Sequence, residues 1–288
     1  MSDIIILGTG PAGISAAAYT TRAGLKTTVI GRDGGALLKA HQIENYYGFS
    51  QPVSGEELIR TGMEQARRLG AEIVNDEVVG IAYDGEFVAS GISGTYRAPA
   101  MILATGASRG APKLEGLRRL EGRGVSYCAV CDAFFYRGKH VAVLGNGEYA
   151  LHEAMELLPV AGSVTLLTNG KEPSVEIPEE IKVVTQKLDR LEGDPVLTGV
   201  VLEDGGTVPV SGLFVAMGVA GSTDLARKLG AQTKGSAIVV DSSMQTNIPG
   251  LFAAGDCTGG MLQVAKAVYE GAQAAAGAIK LVRERKNA

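Results

Sequence analysis

The chain has 288 residues, long for one compact domain and comfortable for two, and its 45 % hydrophobic content suffices for real cores. A net charge of −4 implies no basic face for nucleic acid, and no uninterrupted apolar window reaches the length of a membrane span. Three cysteines suit a reducing compartment better than a disulfide scaffold, so the expectation is a cytoplasmic protein.

The first elements read strand, glycine turn, helix, strand. Ile4–Leu7 is a buried β run that ends in glycine after four residues, a strand rather than a leader. Gly8-Thr9-Gly10-Pro11-Ala12-Gly13 follows, and Ile14-Ser15-Ala16 opens a helix. This G-x-G-x-x-G, framed by strand and helix, is a dinucleotide fingerprint. Its glycines let the backbone approach a pyrophosphate, and the helix start offers free N–H groups and partial positive charge. The second strand, 27–30, should end on an acid for a ribose hydroxyl. Gly31 stands there, with Arg32 and Asp33 next, which leaves the role to Asp33 or to backbone.

A glycine turn at 34–35 leads to Glu44-Asn45-Tyr46-Tyr47, which on its own reads as a loop with packed aromatics. Residues 56–69 have a helical period, with Leu58, Ile59, Met63 and Ala66 on one side. Segments 72–79, 80–83 and 86–89 read as a β meander. Met101–Ala104 is another buried strand, running into Thr105-Gly106, and the glycine-rich stretch 116–124 reads as a hinge.

Then comes Cys128-Ala129-Val130-Cys131-Asp132. Two thiols two residues apart can close a small disulfide or open to a dithiol, and the adjacent acid can exchange a proton with a thiolate. The plainer readings are two packed cysteines or a zinc knuckle. Zinc wants four ligands, and only Cys257, His41, His140 and His152 remain, none in a paired spacing, so no metal is expected.

His140–Leu144 begins a second strand–turn–helix, with Gly145-Asn146-Gly147 as its turn. Gly8 to Gly31 and Gly145 to Thr168 are both intervals of 23 residues, so two units of one gauge are present. Leu251–Ala254 is a strand ending in Gly255-Asp256, whose acid can bind a ribityl or ribose hydroxyl. Residues 263–286 form one long alanine-rich helix with a basic end.

Residues 122–132, Phe134-Phe135-Tyr136 and the three glycine elements together resemble the low-molecular-weight thioredoxin reductases, over essentially the whole chain. The resemblance implies an α/β fold of two Rossmann-like (three-layer ββα) domains. An FAD domain, 1–111 and 244–288, would be split by an inserted CxxC-bearing domain, 112–243. It implies an enzyme, a flavin-dependent disulfide oxidoreductase that reduces thioredoxin and assembles as a homodimer. By position, Gly8, Gly10, Pro11, Ala12 and Gly13 would form the FAD pyrophosphate turn. Asn45, Gln263 and Val264 would lie at the flavin; Thr105, Gly106, Gly255 and Asp256 would complete the FAD site. Cys131 would be the flavin-proximal thiol, Cys128 the one that attacks the partner, and Asp132 the proton shuttle; Cys257 is read as a passive core thiol.

Departures from the family pattern bear on the electron donor. NADPH-using members carry an arginine cluster after the second Rossmann strand. Here the stretch is Leu167-Thr168-Asn169-Gly170-Lys171-Glu172-Pro173, with one lysine beside a glutamate, and a 2′-phosphate would lose its bidentate partners. Tyr149 stands where the family keeps a small Ser or Thr, and is expected to crowd a nicotinamide diphosphate. These losses resemble the NADPH-independent branches, so ferredoxin is the favoured donor, ahead of a deazaflavin coenzyme and then NADPH. The alternatives are a flavin dithiol oxidase that passes electrons to oxygen, and a flavin-binding redox sensor.

Overall fold

The computed structural model describes residues 1–32, 34–106, 112–218 and 220–287. Its packing divides the chain into two compact units, 1–108 with 221–288, and 109–220. In chain order the first unit begins with β1 (Ile4–Leu7), α1 (Pro11–Arg22), β2 (Thr27–Ile30), α2 (Gly55–Arg68), β3 (Glu72–Val74), β4 (Val78–Tyr83), β5 (Phe87–Gly91), β6 (Thr95–Ala98) and β7 (Ala100–Leu103). The second unit carries β8 (Val125–Ser126), the short helix α3 (Ala129–Asp132), β9 (His140–Leu144), α4 (Glu148–Leu157), β10 (Ser163–Leu167), β11 (Ile181–Val184), β12 (Leu188–Glu192), β13 (Gly199–Leu202), β14 (Thr207–Pro209) and β15 (Gly212–Val215). The chain then returns to the first unit with α5 (Ser222–Lys228), β16 (Thr233–Lys234), β17 (Ala237–Ile238), β18 (Leu251–Ala253) and α6 (Val264–Asn287).

The first unit is built on a parallel sheet in the order β18-β7-β1-β2-β3. Every residue of β1, β2 and β7 is buried. Strands covered on both faces favour apolar residues, so β1 and β7 show no alternation, while the buried Thr27 and Thr28 of β2 donate their hydroxyls to Thr20 Oγ1 and Glu72 Oε2. Helices α1 and α6 pack on each other through small residues. A Cβ added to Gly271 would lie 2.1 Å from the Ala12 carbonyl oxygen, so the two backbones are nearly in contact, with Ala16, Ala17, Ala274 and Ala275 buried alongside. The alanine of the last helix is there to permit that approach. Strands β4, β5 and β6 form a separate antiparallel sheet.

The second unit repeats the plan with a parallel sheet β11-β10-β9-β15-β8 and an antiparallel sheet β12-β13-β14. Ala142, Leu144, Leu167, Val200 and Leu213 lie in its core. The fold is thus α/β, with two parallel-sheet Rossmann-like units. Among the described residues, no helix is long and apolar enough to cross a membrane.

Two segments differ from the sequence expectation. Residues 72–79 do not form one strand: β3 joins the parallel sheet beside β2, and β4 starts the antiparallel one. The break is made by Asp76, whose carboxylate accepts from the backbone N–H of Glu77 (2.8 Å) and Ser93 (3.1 Å) and from the Tyr96 hydroxyl (2.8 Å). The chain rejoins the first unit at 221, not at the expected 244. Residues 221–243 belong there because α5 packs on β4 and β17, and because buried Ser222 bonds Thr105. A seven-residue helix flanked by two-residue strands carries too little periodicity to be read in advance.

Candidate redox site

In the first unit the fingerprint glycines do different work. Gly8 has φ +118°, and a Cβ on it would lie 2.2 Å from the Ala104 carbonyl oxygen. A Cβ on Gly13 would lie 1.9 Å from the Gly8 carbonyl oxygen. Both are required by packing. Gly10 is different, since a Cβ there meets nothing within 4 Å. Gly10 is also the N-cap of α1, which no side chain caps, and Pro11 occupies the first helical position. A cavity of about 270 Å³ opens beside this turn, lined by Thr9, Gly10, Pro11, Tyr46, Val264 and Val268 among others.

The other expected residues converge on the same unit. Gly255 (φ +87°) approaches so closely that a Cβ on it would be 2.9 Å from that of Ala12, which sets the Gly255-Asp256 turn against the start of α1. Asn45 Nδ2 donates to Gln263 Oε1 at 2.8 Å, joining residues 218 positions apart. The Thr105 N–H donates to Ser222 Oγ at 3.0 Å, and their two hydroxyls are 2.6 Å apart. Gly106 follows with φ +79°. Asp33 lies outside the described residues; beside it, Arg32 forms a 2.6 Å ion pair with buried Glu77.

Sequence reasoning missed Ser222 and Glu77, and it missed a clamp on the Gly255-Asp256 turn. Glu270 Oε2 accepts the Gly255 N–H and the Thr258 hydroxyl, both at 2.8 Å. Lys266 Nζ pairs with that carboxylate at 3.1 Å and donates to the carbonyls of Gly255 (2.8 Å) and Gly259 (2.5 Å). The i,i+4 spacing of Lys266 and Glu270 was the one available signal. Cys257 is wholly buried, and burial pushes its thiol up to about 11, in keeping with a passive core role.

In the second unit Cys128 and Cys131 are joined as a disulfide. Cys128 is the N-cap of α3, and its Sγ accepts the Cys131 N–H at 3.2 Å. Buried Ser126 ties the pair to its acid: its Oγ accepts the Cys128 N–H at 3.1 Å and donates to Asp132 Oδ2 at 2.6 Å. Beneath them Glu153 on α4 accepts the Ala129 N–H at 2.7 Å. Cys128 is only 4 % exposed, whereas Cys131 is exposed. Phe134 and Phe135, 71 % and 67 % exposed, follow, with the Arg137 guanidinium 5.7 Å over the Phe134 ring. Burial, then the charge of Asp132, push the Tyr136 hydroxyl upward. Among the described residues no group of three or more His, Cys, Asp and Glu side chains is arranged to hold a metal ion.

The second glycine turn is closed upon itself. A Cβ on Gly145 would lie 2.2 Å from the Ala216 carbonyl oxygen, so packing alone demands that glycine. The loop after β10 folds over the turn: the Ser174 N–H donates to the Asn146 carbonyl at 2.7 Å, and Asn146 Nδ2 donates to the Glu172 carbonyl at 3.2 Å. Glu148 occupies the first turn of α4, which no side chain caps. Tyr149, expected to crowd a nicotinamide diphosphate at this turn, is 1 % exposed and packs inward.

The profile of the pyridine nucleotide-disulphide oxidoreductases matches residues 2–271. A thioredoxin reductase of Aquifex aeolicus is 38 % identical over 88 % of this chain and 84 % of its own length. Among solved structures, the atypical thioredoxin reductase TRi of Desulfovibrio vulgaris Hildenborough is 45 % identical, covers 99 % of both chains and superposes with a TM-score of 0.93. A ferredoxin-flavin thioredoxin reductase of Clostridium acetobutylicum is 32 % identical over 98 % of both chains, with a TM-score of 0.73. With the fingerprint turn in one unit and the disulfide and its acid in the other, the chain belongs to the pyridine nucleotide-disulphide oxidoreductases, among the thioredoxin reductase-like flavin disulfide oxidoreductases, whose members bind FAD.

Proposed function

We propose that the protein passes electron pairs from a donor other than NADPH, with ferredoxin favoured, through FAD to the Cys128–Cys131 disulfide and on to thioredoxin. The observation that carries the donor half is the loop at 168–174. It holds no arginine, it bonds back onto the turn at Asn146, and Glu148 puts an acid where a nucleotide pyrophosphate would need N–H groups. The resemblance to a ferredoxin-flavin thioredoxin reductase supports the same choice. A protein carrier that docks at the surface needs no such pocket.

The first unit fits FAD. Gly10 leaves open space at the uncapped start of α1, where the N–H groups of Ala12 and Gly13 are aligned for a pyrophosphate, with Gly8 and Pro11 shaping the turn. The Asp256 carboxylate makes no hydrogen bond among the described residues and is available for a hydroxyl. Asn45, Gln263 and Val264 would border the flavin, with Thr105 and Gly106 beside it. When bound, the flavin supplies a two-electron carrier between donor and disulfide.

The rest is thiol chemistry. Opening the disulfide consumes two electrons and one proton and leaves a thiol and a thiolate. Cys128 attacks the partner's disulfide, forming a mixed disulfide; Cys131 attacks Cys128 and releases the partner's dithiol. Asp132, oriented by Ser126, holds and returns the proton. Because Cys128 is 4 % exposed, its attack requires a rearrangement that uncovers it. The same reading takes the protein to be a cytoplasmic homodimer joined through its first unit.

Trapping tests this order. Cys131→Ser should accumulate a mixed disulfide between Cys128 and oxidised thioredoxin, while Cys128→Ser should not. The opposite pattern reverses the roles. No adduct from either variant, together with steady hydrogen peroxide production from a small dithiol, would replace the reading with a dithiol oxidase.

A further inference from the structure

One buried acid in the second unit has no part in the steps above. Glu153 is 1 % exposed, and its Oε2 accepts the Ala129 N–H at 2.7 Å. Ala129 opens α3, and its nitrogen forms the peptide bond with Cys128. An acid this deep persists only where it is hydrogen-bonded. Helices α3 and α4 pack together within one unit, so the carboxylate accompanies the disulfide through the whole cycle. The Cys131 N–H, 3.2 Å from Cys128 Sγ, works in the other direction, since N–H groups at a helix start favour a thiolate there.

We propose that Glu153 is a positioning residue of the redox pair, which fixes the first turn of α3 through Ala129 and sets a negative charge beneath Cys128 that opposes the Cys128 thiolate. This inference rests on the reading of Cys128 and Cys131 as the redox pair. When the sulfur–sulfur bond is opened by two electrons, which bound FAD would supply, the single proton taken up goes to Cys128 and the thiolate stays on Cys131. Cys128 gives its proton to Asp132 only as it attacks the partner's disulfide. The pair is thereby kept from reacting with stray disulfides between turnovers.

Helix α4 and the turn 133–136 pack on α3, and Ser126 of β8, whose element carries no titratable side chain, bonds to Cys128 and Asp132. Their other titratable side chains are Glu148, Tyr149, His152 and Glu156 on α4 and Tyr136 on the turn, with Asp132 on α3 itself. Of the carboxylates among them, only Glu153 is buried, and all the others are unchanged between the proteins compared below.

The experiment is a pH titration of the Cys128 Cβ resonance in holoprotein labelled with 13C at cysteine Cβ, in a Cys131→Ser background. Cys257, pushed to about 11, serves as the internal control. Glu153→Gln keeps an oxygen for the Ala129 N–H and removes the charge, and it should lower the Cys128 midpoint by about one pH unit. Glu153→Asp should keep the parent midpoint. A Gln variant that titrates like its parent overturns the proposal. Should that variant fail to fold, Glu153→Met, which also removes the charge, decides in its place: a Cys128 midpoint lower than the parent's supports the proposal, and an unchanged one overturns it. The readout needs neither electron donor nor thioredoxin, so it fails or stands separately from the electron-transfer reading.

Discussion

Replacing Gly10 by alanine separates the two jobs of the fingerprint turn. The new Cβ meets nothing within 4 Å, and φ at this position is −76°, which any residue adopts. Alanine is a poorer N-cap than glycine by several tenths of a kcal/mol, while the stiffer unfolded chain returns about 0.4–1 kcal/mol, so the apoprotein should melt within about 1 kcal/mol of the parent. FAD should respond very differently. On the proposed assignment the methyl group would stand in the space through which a pyrophosphate approaches the Ala12 and Gly13 N–H groups, and charge-assisted bonds of this kind contribute about 1.5–3 kcal/mol each. Loss of even one and a half such bonds weakens FAD binding about a hundredfold. Gly13→Ala should do the reverse, because its Cβ would lie 1.9 Å from the Gly8 carbonyl oxygen and the turn must spread before any ligand arrives. The assay is paired: a thermal melt of each apoprotein, and an FAD titration followed by flavin fluorescence. A Gly10→Ala protein that binds FAD like the parent would refute the assignment of the open face to the cofactor.

Three further outcomes follow from the same geometry. Lys266→Met leaves the Glu270 carboxylate without its ion pair in a largely enclosed site, and should cost about 3 kcal/mol, or roughly 6–12 °C in Tm; Lys266→Met with Glu270→Gln should recover part of that loss, and a drop below about 1 kcal/mol contradicts the clamp. Burial raises the Asp76 carboxyl, but the Tyr96 hydroxyl and the Ser93 and Glu77 N–H groups outweigh it and hold the group below the usual carboxylate range. A depressed carboxyl stabilises fully above its unfolded value of 3.8 and loses that contribution as pH falls through the folded value, so Tyr96→Phe should cost about 1–2 kcal/mol in urea melts at pH 7 and progressively less as pH falls below 3.8. Cys257, wholly buried and raised to about 11, should resist iodoacetamide at pH 8 in the folded protein and react at once in denaturant; fast labelling of the native form contradicts its core role.

What could be read from the sequence follows a physical line. The strand–glycine–helix units are local: four apolar residues, a glycine that must adopt φ +118°, and a helix start follow one another in the chain, so Gly8 and Gly13 declare themselves. The CxxC and its acid are likewise local. The residues that hold these features in place are not. Ser126 reaches Asp132 across six positions, Glu153 reaches Ala129 across 24, and Ser222 reaches Thr105 across 117. A serine or glutamate carries no mark of such a partner until the chain is folded. Tyr149 shows the opposite error: its bulk was visible and its direction was not, since the inward or outward turn of a side chain at a helix start is settled by packing. The return of the chain at 221 was hidden because α5 is too short to show a period.

The identity of the donor is decided by anaerobic stopped-flow reduction of the oxidised holoprotein. Flavin bleaching by NADPH is compared with bleaching by reduced ferredoxin, with NADH and a reduced deazaflavin coenzyme as further arms. Two missing arginine contacts to a 2′-phosphate, at about 1.5–3 kcal/mol each, amount to a hundredfold or more in binding, of which Lys171 can restore part as a point charge. Reduced ferredoxin should bleach the flavin, with NADPH at least about a hundredfold less efficient than in reductases that carry the arginine cluster. Rapid reduction by NADPH, saturating at micromolar concentration, would contradict it and return the protein to the NADPH-dependent branch.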